Sequence, residues 1–594
     1  MGGVDVTALK RKYAEERDKR LRPDGNDQYV RLAGQLSHYL DDPYTPRVER
    51  APRHDHVAVA IVGGGFAGLL AGARLVEAGI GEVRLIDKAG DFGGTWYWNR
   101  YPGAQCDTAA FVYMPLLEET KHMPTEKYAH APEILEHCRR IGSHYGLYDG
   151  ALLHTEVTDL AWQADTSRWT VTTDRGDVFT AQFVVLGTGP LHVPKLPGIP
   201  GIESFGGHSF HTSRWDYEYT GGDPSGAPLD KLADKRVAII GTGATAVQCV
   251  PHLARACREL FVFQRTPSSV DVRGNVPIDP VWFDSIVEPG WQRAWMENFA
   301  ANQTGAMPGV DLVMDGWTDI ARRIRSRIMT LPPDQRTPEN MLAAFEESDF
   351  EKMEEIRSRV DEVVEDSDTA VGLKAWYRQL CKRPCFHDEY LQAFNEPGTH
   401  LVDTDGRGVE RITESSVVVA GTPHEVDCII YASGFEVGTP FERRAGFDPL
   451  GRGGRSLSSH WADGMRTMHG IHIHGFPNAF LVQFTQGSNL ISNVPHNLVE
   501  SSATIAMVVA HAKERGAAEV EVTDAAEGAW MDLLHTGVSF LGTGDCTPGY
   551  YNNEGRPSGD QAAWRGYPFG AVAFFEFIGK WRESGNFEGL EFRT

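Results

Sequence analysis

Two glycine-rich patterns constrain the fold of this chain more than any other feature. In the first, an apolar run at residues 57–62 leads into Gly63, Gly65 and Gly68, and an Ala- and Leu-rich segment begins near Phe66. This order predicts a strand buried on both faces, a tight turn and a helix. The glycines allow the turn, the close approach of a pyrophosphate and the packing of helix on strand. The helix N-terminus favours the negative charge of that pyrophosphate.

An acidic residue ends the next predicted strand. Asp87 follows the glycines by about twenty residues, where a carboxylate can bind the hydroxyl groups of a ribose. A glycine triplet alone is a weak signal, but strand, helix, strand and terminal acid together indicate a dinucleotide site. Because Asp87 leaves no room for a neighbouring phosphate, this unit is predicted to bind FAD or NAD rather than NADP.

The second pattern has Gly241 and Gly243 at the first two positions and Ala246 at the third, where only packing is at stake. Its following strand leads into Arg265 instead of an acid. A guanidinium can pair bidentately with a 2′-phosphate, so the second nucleotide is predicted to be NADPH. The fold class is therefore predicted to be α/β, with two Rossmann-like dinucleotide-binding domains that pass hydride from NADPH to a flavin.

Composition excludes several classes of partner. The chain has 594 residues, 41% of them hydrophobic, which is enough for several domains. Its net charge of -24 opposes binding to nucleic acid, and no apolar stretch predicts a membrane span or signal peptide. The eight cysteines form no Cys-x-x-Cys pair, which predicts reduced thiols and a cytoplasmic protein. No His or Cys cluster has metal-ligand spacing, so we expect no metal.

Two further motifs point to a reaction type. The pattern F-x-G-x-x-x-H-x-x-x-W-D lies between the two glycine patterns and is carried by Phe205, Gly207, His211, Trp215 and Asp216. Residues 93–107, here called the aromatic loop, read GGTWYWNRYPGAQCD and fit G-G-x-W-x-x-x-x-Y-P-G-x-x-x-D. Both resemble fingerprints of the flavin-dependent Baeyer-Villiger monooxygenases. The chain most resembles their N-terminally extended subgroup, which acts on large-ring, polycyclic or steroid ketones.

The resemblance implies the chemistry and its residues. In this family NADPH reduces FAD, oxygen adds, and a peroxyflavin anion inserts one oxygen atom beside a ketone carbonyl to give an ester or lactone. The element Cys-Lys-Arg-Pro-Cys at residues 381–385 would supply Arg383 as the catalytic arginine and Lys382 as an NADP contact. Asp107 would pair with Arg383. A permanently charged guanidinium favours the anion at neutral pH. The motif containing His211 would act as a hinge between the domains.

Further cofactor positions follow from the resemblance alone. Those for FAD are Gly94, Thr95, Trp96, Tyr97, Trp98, Tyr113 and Val157. Those for NADP are Gln105, Thr242, Ala244, Thr245, Gln248 and Thr266.

The predicted domain order places an N-terminal helical extension at residues 1–52. A discontinuous FAD-binding domain covers 53–205 and 400–594, and an NADP-binding domain covers 206–399, with a helical insertion at about 280–375. Whether the extension packs on the body or forms a solvated arm is open. A late segment, CTPGYYNNEG, is either a loop that moves over a bulky ligand, helped by Gly542, Gly544 and Gly549, or a plain surface loop.

Three other functions compete with this one. An N- or S-oxygenating flavin monooxygenase is disfavoured by the Trp215-Asp216 ending, and a disulfide reductase by the absence of an apparent redox dithiol. A non-catalytic redox sensor would not need both Arg383 and Asp107. Molecular oxygen and a ketone are the predicted partners, and the oligomeric state is open.

Overall fold

The computed structural model describes residues 5–304, 309–537, 545–556 and 565–594. Its first sheet contains the first glycine pattern. The strand His56–Val62 lies between two parallel neighbours, so its apolar side chains are covered on both faces. The strands of this sheet, in spatial order, are Val83–Ile86, His56–Val62, Val178–Leu186, Arg168–Thr173 and Val157–Gln163, with Ala479–Leu481 also paired to Val178–Leu186.

The second sheet contains the second glycine pattern and is parallel throughout. Its strands in spatial order are Thr399–Asp403, Glu259–Gln264, Arg236–Ile240, Cys428–Tyr431 and His208–His211. Two of these strands lie at or beyond the predicted boundary at residue 400. Strand pairing therefore keeps the chain in the second sheet as far as residue 431.

Shorter strands form four small sheets. The pairs are Tyr29–Val30 with Leu196–Pro197, Val270–Asp271 with Cys385–Phe386, and Glu519–Val522 with Leu590–Arg593, and the triplet is Arg411–Ile412, Ser416–Val419 and Thr422–Glu425. The helix after each glycine pattern is Phe66–Glu77 or Ala244–Ala256. The other α-helices are Val6–Asp18, Thr95–Trp98, Ala110–Tyr113, Leu117–Thr120, Ala131–His144, Tyr217–Thr220, Pro280–Ile286, Trp291–Gln303, Gly316–Thr330, Pro338–Val363, Ser367–Leu373, Phe441–Ala445, Leu457–His460, Val494–Glu514, Asp524–His535 and Gly570–Glu583.

The N-terminal extension packs on the helical insertion, which resolves the alternative that the sequence left open. Leu9 and Tyr13 are buried in one cluster with Phe350 of the insertion. The guanidinium of Arg357 donates to the Tyr13 hydroxyl at 3.1 Å, in a buried position. Burial of these apolar side chains removes their surface from water, and this stabilises the extension against the insertion.

One pair of cysteines contradicts the prediction of reduced thiols. Cys381 and Cys546 form a disulfide, although they lie 165 residues apart in the sequence. Sequence spacing could not reveal this pair, since only the fold brings the two Cα atoms to 5.1 Å. None of the helices in the described ranges is both long and apolar enough to cross a membrane.

Candidate active site

One cavity of about 1650 Å³ is lined by both glycine loops, the aromatic loop and residues 545–556. Residues 545–556 are here called the late segment. This volume exceeds that of ordinary small-molecule sites, which hold roughly 300–1,000 Å³. The cavity therefore has room for more than one ligand. Gly542 and Gly544, for which the sequence left open a loop over the ligand or a plain surface loop, lie outside the described residues.

The first glycine loop has no space for side chains. Gly63 has φ +113°, and a Cβ there would lie 2.3 Å from the carbonyl oxygen of Gly187. A Cβ at Gly68 would lie 1.8 Å from the carbonyl oxygen of Gly63. Close packing of helix against turn thus requires glycine at both positions, and it leaves the helix N-terminus open to the cavity.

Asp87 ends its strand at the cavity wall, as its predicted ribose contact requires. Its carboxylate accepts hydrogen bonds from the backbone N–H groups of Gly64 and Ala89, the latter at 2.7 Å. Burial raises the pKa of Asp87, and these two bonds oppose that rise. The carboxylate is therefore held in place by the turn that it closes.

The aromatic loop turns its rings in two directions. Trp96 and Trp98 line the cavity, whereas Tyr97 is fully buried and donates its hydroxyl to Asp42 of the N-terminal extension at 2.5 Å. The guanidinium of Arg214 lies 3.7 Å from the Trp98 ring centre. The N-terminal extension and the motif at residues 205–216, here called the Trp-Asp motif, thus hold the aromatic loop on the side away from the cavity.

The second glycine loop is more open than the first. Gly241 has φ +116°, and a Cβ there would lie 2.4 Å from the carbonyl oxygen of Ala432. At Gly243, by contrast, no atom of the described residues lies within 4 Å of a Cβ position. This open backbone is the side from which a pyrophosphate can approach. Gln248 donates from Nε2 to the carbonyl oxygen of Gln105 at 2.7 Å, which connects this unit to the aromatic loop.

Arg265 lies at the far end of the cavity among groups from distant segments. It pairs with the carboxylate of Glu554 at 3.3 Å and with the side-chain oxygen of Gln28. Lys195 lies nearby, with its ammonium 3.9 Å from the Tyr29 ring centre. The N-terminal extension and the late segment therefore both contribute to the predicted phosphate region.

Lys382 lines the same part of the cavity. Its ammonium donates to the carbonyl oxygen of Pro548 at 3.2 Å. Burial, followed by the positive charge of Arg265, lowers the pKa of Lys382 to about 8. A bound anion would reverse this effect, because it would favour the charged ammonium.

Arg383 and Asp107 form the bidentate pair that the resemblance implies. Nη1 and Nη2 of Arg383 donate to the two carboxylate oxygens of Asp107 at 2.6 and 2.7 Å. Burial opposes the charge of the guanidinium, but the carboxylate outweighs burial and raises the pKa of Arg383 above its ordinary value. The indole N–H of Trp317 holds the backbone oxygen of Asp107 at 3.0 Å. The result is a fixed positive charge that lines the cavity.

Two tyrosines beside Arg383 were not predicted as site residues. Tyr550 and Tyr551 of the late segment line the cavity, with ring centres 4.4 Å apart. Burial raises the pKa of both hydroxyls, while the charge of Arg383 lowers it. The only sequence signal was the Gly-Tyr-Tyr run, which does not reveal that it folds back to residue 383.

The residues of the Trp-Asp motif lie behind the cavity, and none appears among the described residues that line it. His211 is fully buried, and burial lowers its pKa to about 3, so its ring is neutral near pH 7. Asp216 holds His208 at 2.9 Å, and a Cβ at Gly207 would meet the ring of Phe205 at 2.6 Å. These contacts suit the structural role predicted for the motif.

Most predicted site residues meet at the cavity. Those that line it are Gly63, Gly65, Asp87, Gly94, Thr95, Trp96, Trp98, Tyr113, Val157, Gln105, Gly241, Thr242, Gly243, Ala244, Thr245, Gln248, Arg265, Thr266, Lys382 and Arg383. Four others, Gly68, Tyr97, Asp107 and Ala246, lie in the layer behind.

Three features of the cavity suit the binding of two dinucleotides: the two glycine turns, the residues at the strand ends, and the charges of those residues. Each glycine loop carries a positive-φ turn at the N-terminus of a helix, and Asp87 and Arg265 stand at the equivalent ends of their strands. The carboxylate suits a free ribose, whereas the arginine with Lys382 suits a phosphorylated one. FAD and NADP would then meet near Arg383.

Comparison with known proteins identifies the family. A family model described as pyridine nucleotide-disulphide oxidoreductase matches residues 60–281. Neopentalenolactone D synthase of Streptomyces avermitilis is 51% identical over 597 residues, covering 99% of this chain and 100% of that protein. A Baeyer-Villiger monooxygenase of Stachybotrys chlorohalonatus is 47% identical, covering 99% and 94%.

The fold gives the same answer. The solved polycyclic ketone monooxygenase of Thermothelomyces thermophila superposes with a TM-score of 0.92 at 38% identity, covering 99% of this chain and 98% of that one. The prediction from the two sequence motifs is confirmed: this chain belongs to the Baeyer-Villiger monooxygenase family of flavoproteins.

Proposed function

We propose that this enzyme uses NADPH and molecular oxygen to insert one oxygen atom beside the carbonyl of a polycyclic or large-ring ketone. A ketone, oxygen, NADPH and a proton would give an ester or lactone, NADP⁺ and water. The observation that carries the proposal is the charged Arg383–Asp107 pair, which lies at the cavity between the two nucleotide units. Bound FAD would supply the two-electron reduction of oxygen, and a 25% identical solved structure is a complex with FAD and NADP.

Arg383 would hold positive charge where negative charge on oxygen develops. Its pairing with Asp107 fixes the plane of the guanidinium, and Nη1 also donates to the carbonyl oxygen of Pro384 at 3.2 Å. A guanidinium stays charged at any pH at which the enzyme folds, whereas a buried lysine could lose its proton. A preorganised charge of this kind stabilises an anionic nucleophile without reorganisation.

The substrate class rests on the cavity wall and on the relatives. Part of the cavity wall is apolar, with Ile491, Val494, Pro495 and Leu498 lining it. An apolar wall suits a large hydrocarbon ring system. The similar proteins named above include a polycyclic ketone monooxygenase and a lactone synthase.

The test is to purify the flavin-loaded enzyme and follow NADPH consumption and ester formation with small and polycyclic ketones. Arg383→Ala should still let NADPH reduce the flavin, while ester formation falls by about 100-fold or more, as when an oxyanion-stabilising donor is removed. Arg293→Ala is a matched control, since Arg293 also pairs with a carboxylate, that of Glu297 at 2.8 Å, and is not among the residues that line the cavity. Normal ester formation by Arg383→Ala would remove Arg383 from the mechanism.

A cytoplasmic location stays a prediction from the sequence, and the disulfide argues against its simplest form, in which all thiols are reduced. The oligomeric state stays open. An N- or S-oxygenating enzyme would form no ester from these ketones and would oxidise an amine or sulfide added in their place.

A further inference from the structure

The disulfide joins the catalytic element to the late segment. Cys381 lies one residue before Lys382 and two before Arg383, and Cys546 begins the run that carries Tyr550, Tyr551 and Glu554. All five of these other residues line the cavity. One covalent bond therefore connects the two chain segments that carry these residues of the candidate active site.

The bond is closed to bulk solvent but open to the cavity. Cys381 and Cys546 are only 3% and 2% exposed, yet Cys381 is among the residues that line the cavity. An oxidant that reaches Cys381 most directly is one present in the cavity itself. The free cysteine Cys257, by comparison, lies at the end of the helix Ala244–Ala256 and does not line it.

Two basic residues lie beside the pair. The guanidinium of Arg378 lies 4.0 Å from Sγ of Cys546 and pairs with Asp545 at 2.8 Å. Lys382 is adjacent to Cys381 in the chain. Nearby positive charge favours the thiolate, which is the form that reacts with a peroxide. Disulfides of enzymes in reducing compartments are usually transient and responsive to oxidants.

We infer that Cys381 and Cys546 form a redox modification site that is oxidised by hydrogen peroxide released in the enzyme's own cavity. This inference rests on the proposed function. When no ketone is oxidised, NADPH, a proton and oxygen give NADP⁺ and hydrogen peroxide. The Cys381 sulfur attacks the peroxide, the O–O bond breaks and one water leaves. The Cys546 sulfur then attacks Cys381, the S–O bond breaks, the S–S bond forms and a second water leaves.

The oxidised pair limits further peroxide release. It holds Tyr550 and Tyr551 beside Arg383, where they exclude water, and it holds Glu554 against Arg265. Asn553 and Glu554 have positive φ values of 50° and 56°, a conformation that persists only when its surroundings hold it. Reduction of the disulfide removes one such restraint, so water reaches the cavity more often. Wasteful turnover thus produces the oxidant that suppresses it.

The first experiment measures the bond directly. The flavin-loaded wild-type enzyme is reduced with a dithiol, freed of reductant and given NADPH and oxygen without ketone, with or without catalase. Alkylation and peptide mass spectrometry should find the Cys381–Cys546 disulfide in both samples, because catalase removes only peroxide that has left the cavity, and mainly free thiols when NADPH is left out. Mainly free thiols in the catalase sample, or as much disulfide without NADPH as with it, would overturn the inference.

The second experiment measures the consequence. Peroxide released per NADPH consumed should be about threefold higher or more in Cys381→Ser, Cys546→Ser and the double variant, with equal effects because all three lack one bond. Cys257→Ser is the matched control and should behave as wild type. Wild-type enzyme kept reduced by excess dithiol provides the same comparison without mutation, and with catalase present the peroxide release is read from the oxygen consumed per NADPH.

Failure of the inference and failure of the proposed function give different results. An enzyme that forms no ester and consumes no NADPH refutes the proposed function. One that forms ester, but whose serine variants release no more peroxide than wild type, refutes the redox site alone.

Discussion

The two nucleotide units share one pattern but are completed in different ways. In the first, the glycine turn, Asp87 and the neighbouring loop at Gly187 all come from one sheet and its connections. In the second, Arg265 meets Gln28 from the N-terminal extension and Glu554 from the late segment. The glycine turn and the acid of the first unit therefore form a local assembly, whereas the arginine of the second unit is completed by distant parts of the chain.

Packing within the two turns shows the same difference. The third position of the first pattern tolerates no Cβ, because one at Gly68 would lie 1.8 Å from the carbonyl oxygen of Gly63. The corresponding Ala246 carries a methyl group and is fully buried. A tight local turn suits a cofactor that stays bound, whereas an assembled site suits one that enters and leaves. The predictions below test this contrast.

The largest effect should come from Gly68→Ala. Its Cβ would overlap backbone that cannot move, so we expect the free energy of unfolding to fall by more than about 4 kcal/mol. The variant should also lose its bound flavin. Gly243→Ala is the matched change in the second unit and has space for its Cβ. It should keep flavin and thermal stability while KM for NADPH rises by about tenfold, because the pyrophosphate must approach there. Both variants are compared by flavin absorbance, thermal unfolding and KM for NADPH. Equal loss of flavin in Gly68→Ala and Gly243→Ala would contradict the difference between the two units.

A smaller effect is expected from Arg265→Ala. Loss of charge-assisted hydrogen bonds of about 1.5–3 kcal/mol should raise KM for NADPH by roughly 10- to 150-fold. KM for NADH should change little, since NADH has no 2′-phosphate. Arg265→Lys should fall between the two, because it keeps the charge but not the bidentate geometry. If KM for both nucleotides rises equally, Arg265 acts through the structure and not through the phosphate.

The smallest effect is a pH dependence. The pKa of Lys382 is about 8, so its ammonium is charged below that pH and neutral above it. KM for NADPH should therefore rise above about pH 8, by at most about tenfold per pH unit, with little change for NADH. Lys382→Arg should remove this slope because a guanidinium keeps its proton. A slope that survives in Lys382→Arg would assign the titration to another group.

Sequence patterns predicted the parts of the molecule that depend on neighbours along the chain. Both glycine turns, their strands and their helices appear where the periodicity predicted them. The resemblance supplied Arg383 and Asp107, which periodicity alone could not pair across 276 residues. It offered the run with Tyr550, Tyr551 and Glu554 either as a loop over the ligand or as a plain surface loop, and it did not predict that these side chains meet Arg383 and Arg265.

By itself the sequence determined the reaction family and the two nucleotide units, because short motifs fix local backbone geometry and the chemical groups attached to it. Only the tertiary structure decided which distant segments close the second site, that strands as far as residue 431 join the second sheet, and that Cys381 meets Cys546. Contacts of this kind depend on how elements pack in three dimensions, and no spacing along the chain encodes them.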